Sequence, residues 1–314
     1  MKLYKVLLIL FISIVCVSCT SSEKQLPNTN TNESITMREV PEYKHPDDFF
    51  NKTFTKDEDG NYYFMAGLNY YKVDQKNKVT KVFNILFQNK YLVRDAKYYE
   101  GKIYLLISKV NHKVENGALG LATVDLHGNN FQYLDNLVYN EKYLPGNIVN
   151  FRIENRNIYL LDLYSEIQKV FTYSLDSRAV VDSKETTIEE ERFEFYNKYF
   201  PDYPYKDIQH VRNNNFYHVI ETEKKEKIFV QYDPIHKTKE EYNITDYYVS
   251  PNTTGILVHI DMVDNNWFIF SSKGVFKFDK NFENKQQLLD SSIFNQHYIL
   301  HLRDGMVNLE LVKK

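Results

Sequence analysis

The sequence is nearly devoid of cysteine, and its two cysteines, Cys16 and Cys19, lie three positions apart near the N-terminus. Because the rest of the chain has none, a fold built from it has neither disulfides nor thiolate metal sites. A Cys-x-x-Cys pair also occurs at redox and metal sites, but those need a folded βαβ setting or further ligands. Here the pair lies in an apolar leader, so redox chemistry is not expected.

The chain also lacks a surplus of positive charge and a long apolar run. Its 39 Lys and Arg residues are outnumbered by 42 Asp and Glu residues. We find no cluster of cations of the kind that neutralises nucleic acid phosphates, so no nucleic acid partner is expected. The apolar run at 6–17 is shorter than the ~20 residues that a membrane-spanning helix needs.

Residues 1–18 are organised like a signal peptide. They have a lysine-containing start, an apolar middle and a small residue before the cleavage site. Val17, Ser18 and Cys19 resemble the lipobox of bacterial lipoproteins, although Cys16 stands where leucine is usual. The resemblance implies cleavage between Ser18 and Cys19, a diacylglycerol thioether on Cys19, and an acyl group such as palmitate on the new amino terminus.

Ordinary secretion and an uncleaved anchor are the alternatives to this lipoprotein assignment. Two or three acyl chains, at about 0.8 kcal/mol per buried methylene, would hold the protein firmly on a membrane. Removal of Lys2 and Lys5 would change the formal net charge from -3 to -5. Residues 19–38 are rich in Ser, Thr and Asn, and this composition predicts a flexible tether between lipid and folded domain.

From about residue 50 onward the chain is rich in Tyr, Phe, Ile and Val, with clusters of Asn, Asp, Gly and Lys between them. This predicts short strands separated by turns. A unit of two strands recurs five times. Its first strand carries an aligned aromatic residue at Tyr63, Tyr104, Tyr159, Tyr217 and Phe268. Its second strand ends at Asp74, Asp125, Ser174, Asp233 and Asp279. We expect the Asp carboxylates to accept backbone N–H bonds in the following turns.

Recurrence at intervals of roughly 40 to 60 residues, with several short strands each, is typical of β-propeller blades. The sequence GKIYLL at 101–106, followed by ATVDLHGNN at 122–130, resembles the blades of TolB-like and YWTD-like propellers. The resemblance implies an all-β fold, a β-propeller over residues 39–314. Two β-sandwiches are the alternative, because they too contain many short strands.

The expected number of irregular blades is six. Five units are visible, and the C-terminal hairpin at 297–312 would begin another. The stretch 46–54 would supply the strand that closes the ring, since an exposed sheet edge invites aggregation.

One segment departs from the strand pattern. Thr187 and Glu190 form a capping box, and Pro201 ends the run, so a short helical insert is predicted at 187–200. Aromatic side chains there and in the following loop are candidates for binding a partner: Tyr196, Tyr199, Phe200, Tyr203 and Tyr205. The alternative is that these side chains pack against the propeller.

Patterns that could indicate a metal site have simpler explanations. His297 and His301 lie four apart in a predicted strand, where such side chains stand ~13 Å apart, too far for one ion. The acidic run 57–61 resembles part of a calcium loop but lacks the later ligands, so a hairpin turn is predicted. Gly117 to Gly120 is too short to cradle a phosphate. No metal site and no cofactor are expected.

No catalytic residue is assigned. The sequence has no GxSxG motif, and Asp207, His210 and Arg212 resemble ordinary polar loop residues. We expect a lipid-anchored, extracytoplasmic binding or scaffold protein on a bacterial membrane, with an envelope protein or glycan as its ligand, and we favour a non-enzymatic role. The alternative is an extracytoplasmic hydrolase or lyase acting on a glycan or peptide, since propellers perform both kinds of task. Ionisable groups converging in the central channel would favour the enzyme.

Overall fold

The structure is a computed structural model. It describes residues 54–87, 90–110, 112–113, 119–148, 150–162, 165–186, 210–212, 215–233, 236–247, 259–271, 273–294, 296–303 and 306–313. Strands and tight turns make up nearly all of these residues, as their Tyr, Phe, Ile and Val content predicts. The helical insert expected at 187–200 lies outside the described residues.

Five antiparallel sheets follow one another along the chain, and we call them blades 1 to 5. Blade 1 contains β1 (Phe54–Lys56), β2 (Tyr62–Ala66), β3 (Asn69–Val73) and β4 (Val79–Asn84). Blade 2 contains β5 (Leu86–Phe87), β6 (Tyr91–Tyr99), β7 (Lys102–Lys109), β9 (Leu119–Val124) and β10 (Gln132–Asn136), while β8 (His112–Lys113) lies in its β7–β9 connection. A small hairpin of β11 (Val138–Tyr139) and β12 (Lys142–Tyr143) leads on to blade 3.

The later blades repeat the same order. Blade 3 contains β13 (Phe151–Glu154), β14 (Asn157–Asp162), β15 (Lys169–Ser174) and β16 (Ala179–Glu185). Blade 4 contains β17 (His210–Arg212), β18 (Asn215–Glu221), β19 (Lys227–Asp233) and β20 (Thr238–Asn243). Blade 5 contains β21 (His259–Val263), β22 (Asn266–Ser271), β23 (Gly274–Asp279) and β24 (Gln286–Asp290). The chain continues into a hairpin of β25 (Gln296–Arg303) and β26 (Met306–Lys313).

The five predicted two-strand units are confirmed, because each corresponds to the two middle strands of one blade. The turn-closing role of the aspartates is also confirmed. Asp125 Oδ1 accepts backbone N–H bonds from His127 and Asn129 at 2.9 and 2.8 Å. Asp74 and Asp279 each close a turn with two bonds of the same kind.

Blades 1 and 2, 2 and 3, 4 and 5, and 5 and 1 pack face to face through apolar side chains. The Tyr63 ring of blade 1 stacks on Tyr98 of blade 2, with centroids 5.7 Å apart. Blades 2 and 3 share a buried cluster that includes Phe151. Tyr217 of blade 4 meets Trp267 of blade 5 edge to face at 5.0 Å. Sheets packed in series around an axis are the architecture of a β-propeller, which confirms the predicted fold class.

The ring closes where blade 5 packs against blade 1. The Phe54 ring lies 4.2 Å from that of Phe268 and 5.3 Å from that of Phe270, centroid to centroid. Gly67 has φ +55°, and a Cβ at this position would lie 2.2 Å from the carbonyl oxygen of Ile293, which follows blade 5. Glycine therefore permits a close backbone approach at the closure.

The number of blades differs from the expected six. The described sheets make five blades, and blades 5 and 1 are in direct contact, with no sheet between them. The hairpin of β25 and β26 instead pairs with β8 in the order β25-β26-β8. Phe54, expected in a closing strand, lies in the first strand of blade 1. Closure thus rests on side-chain packing, and the hairpin adds a hydrogen-bonded link from the end of blade 5 to blade 2.

Phe268 is 0% exposed. Its replacement by Ala removes the aromatic side chain between blades 5 and 1 and leaves a cavity there. We expect the F268A variant to lose ~3–5 kcal/mol of unfolding free energy in a urea titration. Val181→Ala is the control, because Val181 is 52% exposed on β16 and should change stability by about 0.5 kcal/mol or less. Equal effects of the two substitutions would contradict closure by packing.

Candidate functional site

The residues to which the sequence assigned binding or lipidation lie outside the described part of the chain. Ser18 and Cys19 precede residue 54, where the description begins. The candidate aromatic residues fall between Glu185 and His210, the described ends of β16 and β17: Tyr196, Tyr199, Phe200, Tyr203 and Tyr205. Their roles stay predictions, and the structure shows where the strands flanking them lie.

The ring has two unlike ends, because four strands of each blade form a meander; in blade 2 these are β6, β7, β9 and β10 in that order, with the short β5 added beside β6. The end that we call the turn face carries the connections between first and second strands and between third and fourth strands. The opposite end, the loop face, carries the connections between second and third strands and those from blade to blade. Contacts at neighbouring turns show that blades 5, 1, 2 and 3 point the same way: Tyr98 to Glu58, Arg156 to Glu100, and Lys56 to Asp264.

The long connections all begin and end at the loop face. These are 110–118 within blade 2 and the segments 137–150, 186–209 and 244–258 between blades. On the turn face the longest connection is 125–131, which Asp125 closes with two backbone bonds. The segment with the predicted aromatic cluster therefore leaves and re-enters the ring at the loop face. Tyr143, 48% exposed, lies in the 137–150 connection at the same end.

One register position on the innermost strands is polar in all five blades. It is the residue paired with the repeated aromatic residue of the second strand. The five residues at this position are Thr55, Lys97, Arg152, His210 and Asp261. Because the strands that carry it lie nearest the axis of a propeller, this backbone position lies beside the central channel, and we call these five residues the polar ring.

Members of this polar ring form hydrogen bonds to the free edges of the inner strands. Thr55 Oγ1 accepts a bond from the backbone N–H of Tyr98 in the next blade at 2.9 Å. Asp261 Oδ1 accepts one from the N–H of Met262 at 2.8 Å. Apart from the start of β6, which pairs with β5, the inner edges of these strands have no further strand in the described sheets, so side chains must satisfy their backbone groups.

The buried centre of this network is Asp95. Its Oδ1 accepts a bond from Lys97 Nζ at 3.0 Å and one from the Ala96 N–H at 2.8 Å. Its Oδ2 accepts a bond from the Phe151 N–H of blade 3 at 3.1 Å. Burial raises the pKa of Asp95, and the ammonium group of Lys97 and the backbone donors oppose that rise. The carboxylate thereby ties blade 2 to blade 3.

Two arginines complete the polar groups near the inner strands. Arg94, at a bulge in β6, donates to Ser108 and, through Nη1, to the carbonyl oxygen of Gly146 at 2.5 Å. Burial lowers the pKa of Arg94 to about 10. This arginine fixes the 137–150 connection onto blade 2. Arg152 stacks its guanidinium over the Tyr159 ring at 4.3 Å, and burial lowers its pKa.

Sequence reasoning missed this polar ring, although a signal was available. In blades 2 to 5 a polar residue stands seven positions before each aligned aromatic residue, and in blade 1 it stands eight before. His210, which was weighed as a loop residue, is one of these residues in β17, and Arg212 ends the same strand. Asp207 lies outside the described residues. Strand pairing was needed to show that the five positions are equivalent.

The two patterns that could have indicated metal ligands have structural explanations. His297 and His301 lie in strand β25, as predicted. Asp57 closes the β1–β2 hairpin by accepting bonds from the backbone and side-chain nitrogens of Asn61 at 2.8 Å each, so the predicted turn is confirmed. Among the residues that the structure describes, no group of three or more His, Cys, Asp and Glu could hold a metal ion.

Comparisons with known proteins add little to this picture. No protein-family model and no curated protein matches the sequence. Among solved structures, the extracellular domain of BT4673 from B. thetaiotaomicron is 13% identical with a TM-score of 0.26, and the match covers 82% of this chain and 31% of that one. The chain thus spans about a third of that protein's length.

Two glycoside hydrolases are similar at the same level. The GH43 BlXynB protein from Bacillus licheniformis is 8% identical with a TM-score of 0.35, covering 83% of this chain and 54% of that one. A thermostable family-43 glycoside hydrolase is 10% identical with a TM-score of 0.33, covering 83% and 92%. At TM-scores this low, the likenesses support no conclusion about function. Within the described ranges, no helix is long and apolar enough to cross a membrane.

Replacing Lys97 by Met leaves the buried Asp95 carboxylate without its cation. At neutral pH we expect the K97M variant to lose ~3–5 kcal/mol of unfolding free energy. An acid whose folded-state pKa is raised destabilises the folded protein as pH rises and its charged form appears. The loss of unfolding free energy in K97M should therefore become smaller on acidification to about pH 5. Urea titrations at both pH values measure this.

The control for that experiment is Lys81→Met, because Lys81 is exposed on the outer strand β4. Its stability should stay within about 0.5 kcal/mol of the wild type at both pH values. If K97M lost the same unfolding free energy at both pH values, the loss would not come from the charge of Asp95, and the assignment would be wrong.

Proposed function

We propose that this protein is a lipid-anchored, extracytoplasmic β-propeller that uses its loop face to bind a protein or glycan of the bacterial cell envelope. The observation that carries the proposal is the unequal distribution of connections between the two ends of the ring. All long connections begin and end at the loop face, whereas short turns close the other end. Long connections on a rigid scaffold are where binding residues are usually found.

The aromatic candidates strengthen this choice of face. The segment 186–209, which contains Tyr196, Tyr199 and Tyr203, joins two strand ends at the loop face. Tyrosine offers a large apolar ring with a polar hydroxyl and is enriched where proteins bind partners. Tyr143 adds an exposed ring in the neighbouring connection.

The roles of the channel carboxylates favour binding over catalysis. Asp95 accepts three hydrogen bonds, two of them from backbone N–H groups, and Asp261 accepts one from the backbone. Asp95 in this role joins blade 2 to blade 3, and Asp261 binds the backbone of its own strand. Hydrolysis of a glycan or peptide is the second candidate. The raised pKa of Asp95 favours it, since catalytic acids are often buried in this way.

The anchor accounts for the N-terminal sequence. Cleavage before Cys19 would leave this residue as the lipidated start of the mature chain. Residues 19–38 would then separate the lipid from the propeller. Two or three buried acyl chains bind a membrane far more firmly than one does.

Replacing Cys19 by Ala should move the protein from the membrane fraction to the soluble or secreted fraction, because the thioether cannot form. Fractionation and immunoblotting measure the distribution. Cys16→Leu is the matched control, since it places the residue usual in lipoproteins at this position and leaves Cys19 intact. An unchanged membrane fraction for C19A would contradict the anchor.

The binding face is tested by changing Tyr196, Tyr199 and Tyr203 together to Ala in the full-length protein. Cross-linking in the source organism's envelope, followed by mass spectrometry, should then recover the partner at least about tenfold less, as expected for lost aromatic anchors. Changing the same three residues to Phe is the control, because it keeps the rings. Full recovery with the Ala variant would exclude this segment as the binding site.

A further inference from the structure

A cleft of 160 Å³ lies between blades 2 and 3, away from the loop face. Its walls come from Lys102, Tyr104 and Thr123 of blade 2, and from Arg156, Tyr173 and Arg178 of blade 3. Lys102 begins β7, and the two arginines lie in the turns of blade 3, so the cleft opens at the turn face. It is therefore separate from the long connections of the proposed binding face.

Three cationic side chains surround the opening of this cleft. Arg156 is held in place by Asp176 at 2.7 Å and Glu100 at 3.5 Å, which raise its pKa. Within the described part of the chain, no ion pair involves Lys102 or Arg178. The positive charges of Lys102 and Arg178 thus remain available to a ligand. They lie next to Arg156, which the carboxylates of Asp176 and Glu100 orient.

The inner wall of the cleft contains a polar group without a partner. Tyr173 is 1% exposed, and its hydroxyl makes no hydrogen bond to any described residue. Burial raises the pKa of Tyr173 to about 12, so the hydroxyl is protonated at neutral pH and can donate. A buried hydroxyl that lacks a partner costs free energy, which a bound acceptor would recover.

We propose that this cleft binds the phosphoryl group of a small ligand. Lys102 and Arg178 would supply charge, and the Tyr173 hydroxyl would donate a hydrogen bond to a phosphoryl oxygen. A phosphoryl group carries a charge of about -1.5 to -2 and three strong acceptor oxygens. It therefore suits several cations and a hydroxyl donor better than a singly charged carboxylate does. The cleft has room for several water-sized groups, which matches a phosphate and a few further atoms.

Isothermal titration calorimetry of the full-length Cys19→Ala protein, which cannot carry the thioether lipid, tests this proposal, with inorganic phosphate and glycerol phosphate as probes and acetate for comparison. We expect saturable binding of a phosphate probe and weaker binding of acetate. The double variant Lys102→Gln, Arg178→Gln and the single variant Tyr173→Phe should each weaken binding by about tenfold or more, because each loses bonds to a charged group.

Lys76→Gln is the matched control, because Lys76 is an exposed cation in a turn of blade 1 on the same face. It should leave the affinity unchanged. Sedimentation with vesicles of anionic phospholipid separates two sources of the phosphoryl group. If the vesicles bind through Lys102 and Arg178 while soluble probes do not, the group belongs to a lipid headgroup. Absence of both kinds of binding, or equal affinity in all variants, would overturn the proposal.

Discussion

The packing of blade 5 against blade 1 is the constraint on which the rest of the structure depends. In the described residues these blades share no strand, so side-chain contact, most of it apolar, must hold the ring closed. The rings of Phe54 and Phe268 pack together with their centroids 4.2 Å apart. Gly67, which has no Cβ, leaves room for the carbonyl group of Ile293. Closure fixes where the inner strands lie, and with them the polar ring and both faces.

Closure also explains why polar residues occur near the axis of an otherwise apolar fold. The inner edges of these strands are uncovered in the described sheets except where β5 pairs with the start of β6, and buried backbone groups need partners. Thr55 and Asp95 accept bonds from the next blade's backbone, at Tyr98 and Phe151. These bonds link blade 1 to blade 2 and blade 2 to blade 3. Function can then lie in the connections themselves.

The sequence predicted what local patterns encode. The aligned aromatic residues and the turn-closing aspartates identified the middle strands of all five blades, because each signal spans a few neighbouring residues. The packing of blade 5 against blade 1 could not be predicted from the sequence. Lys56 and Asp264 meet across 208 positions of the chain, and β1 has only three residues. The predicted aromatic residues lie outside the described chain. The cleft draws Lys102 and Arg178 from different blades, so no local motif marks it.

The central claim is that the loop face, not the turn face, binds the partner. The most direct measurement places a photo-reactive amino acid at Tyr143 on the loop face or at Lys76 on the turn face, in the full-length protein in living cells. The account predicts that a specific envelope component is captured from position 143 and not from position 76. Capture from position 76 alone, or equal capture from both positions, would contradict it.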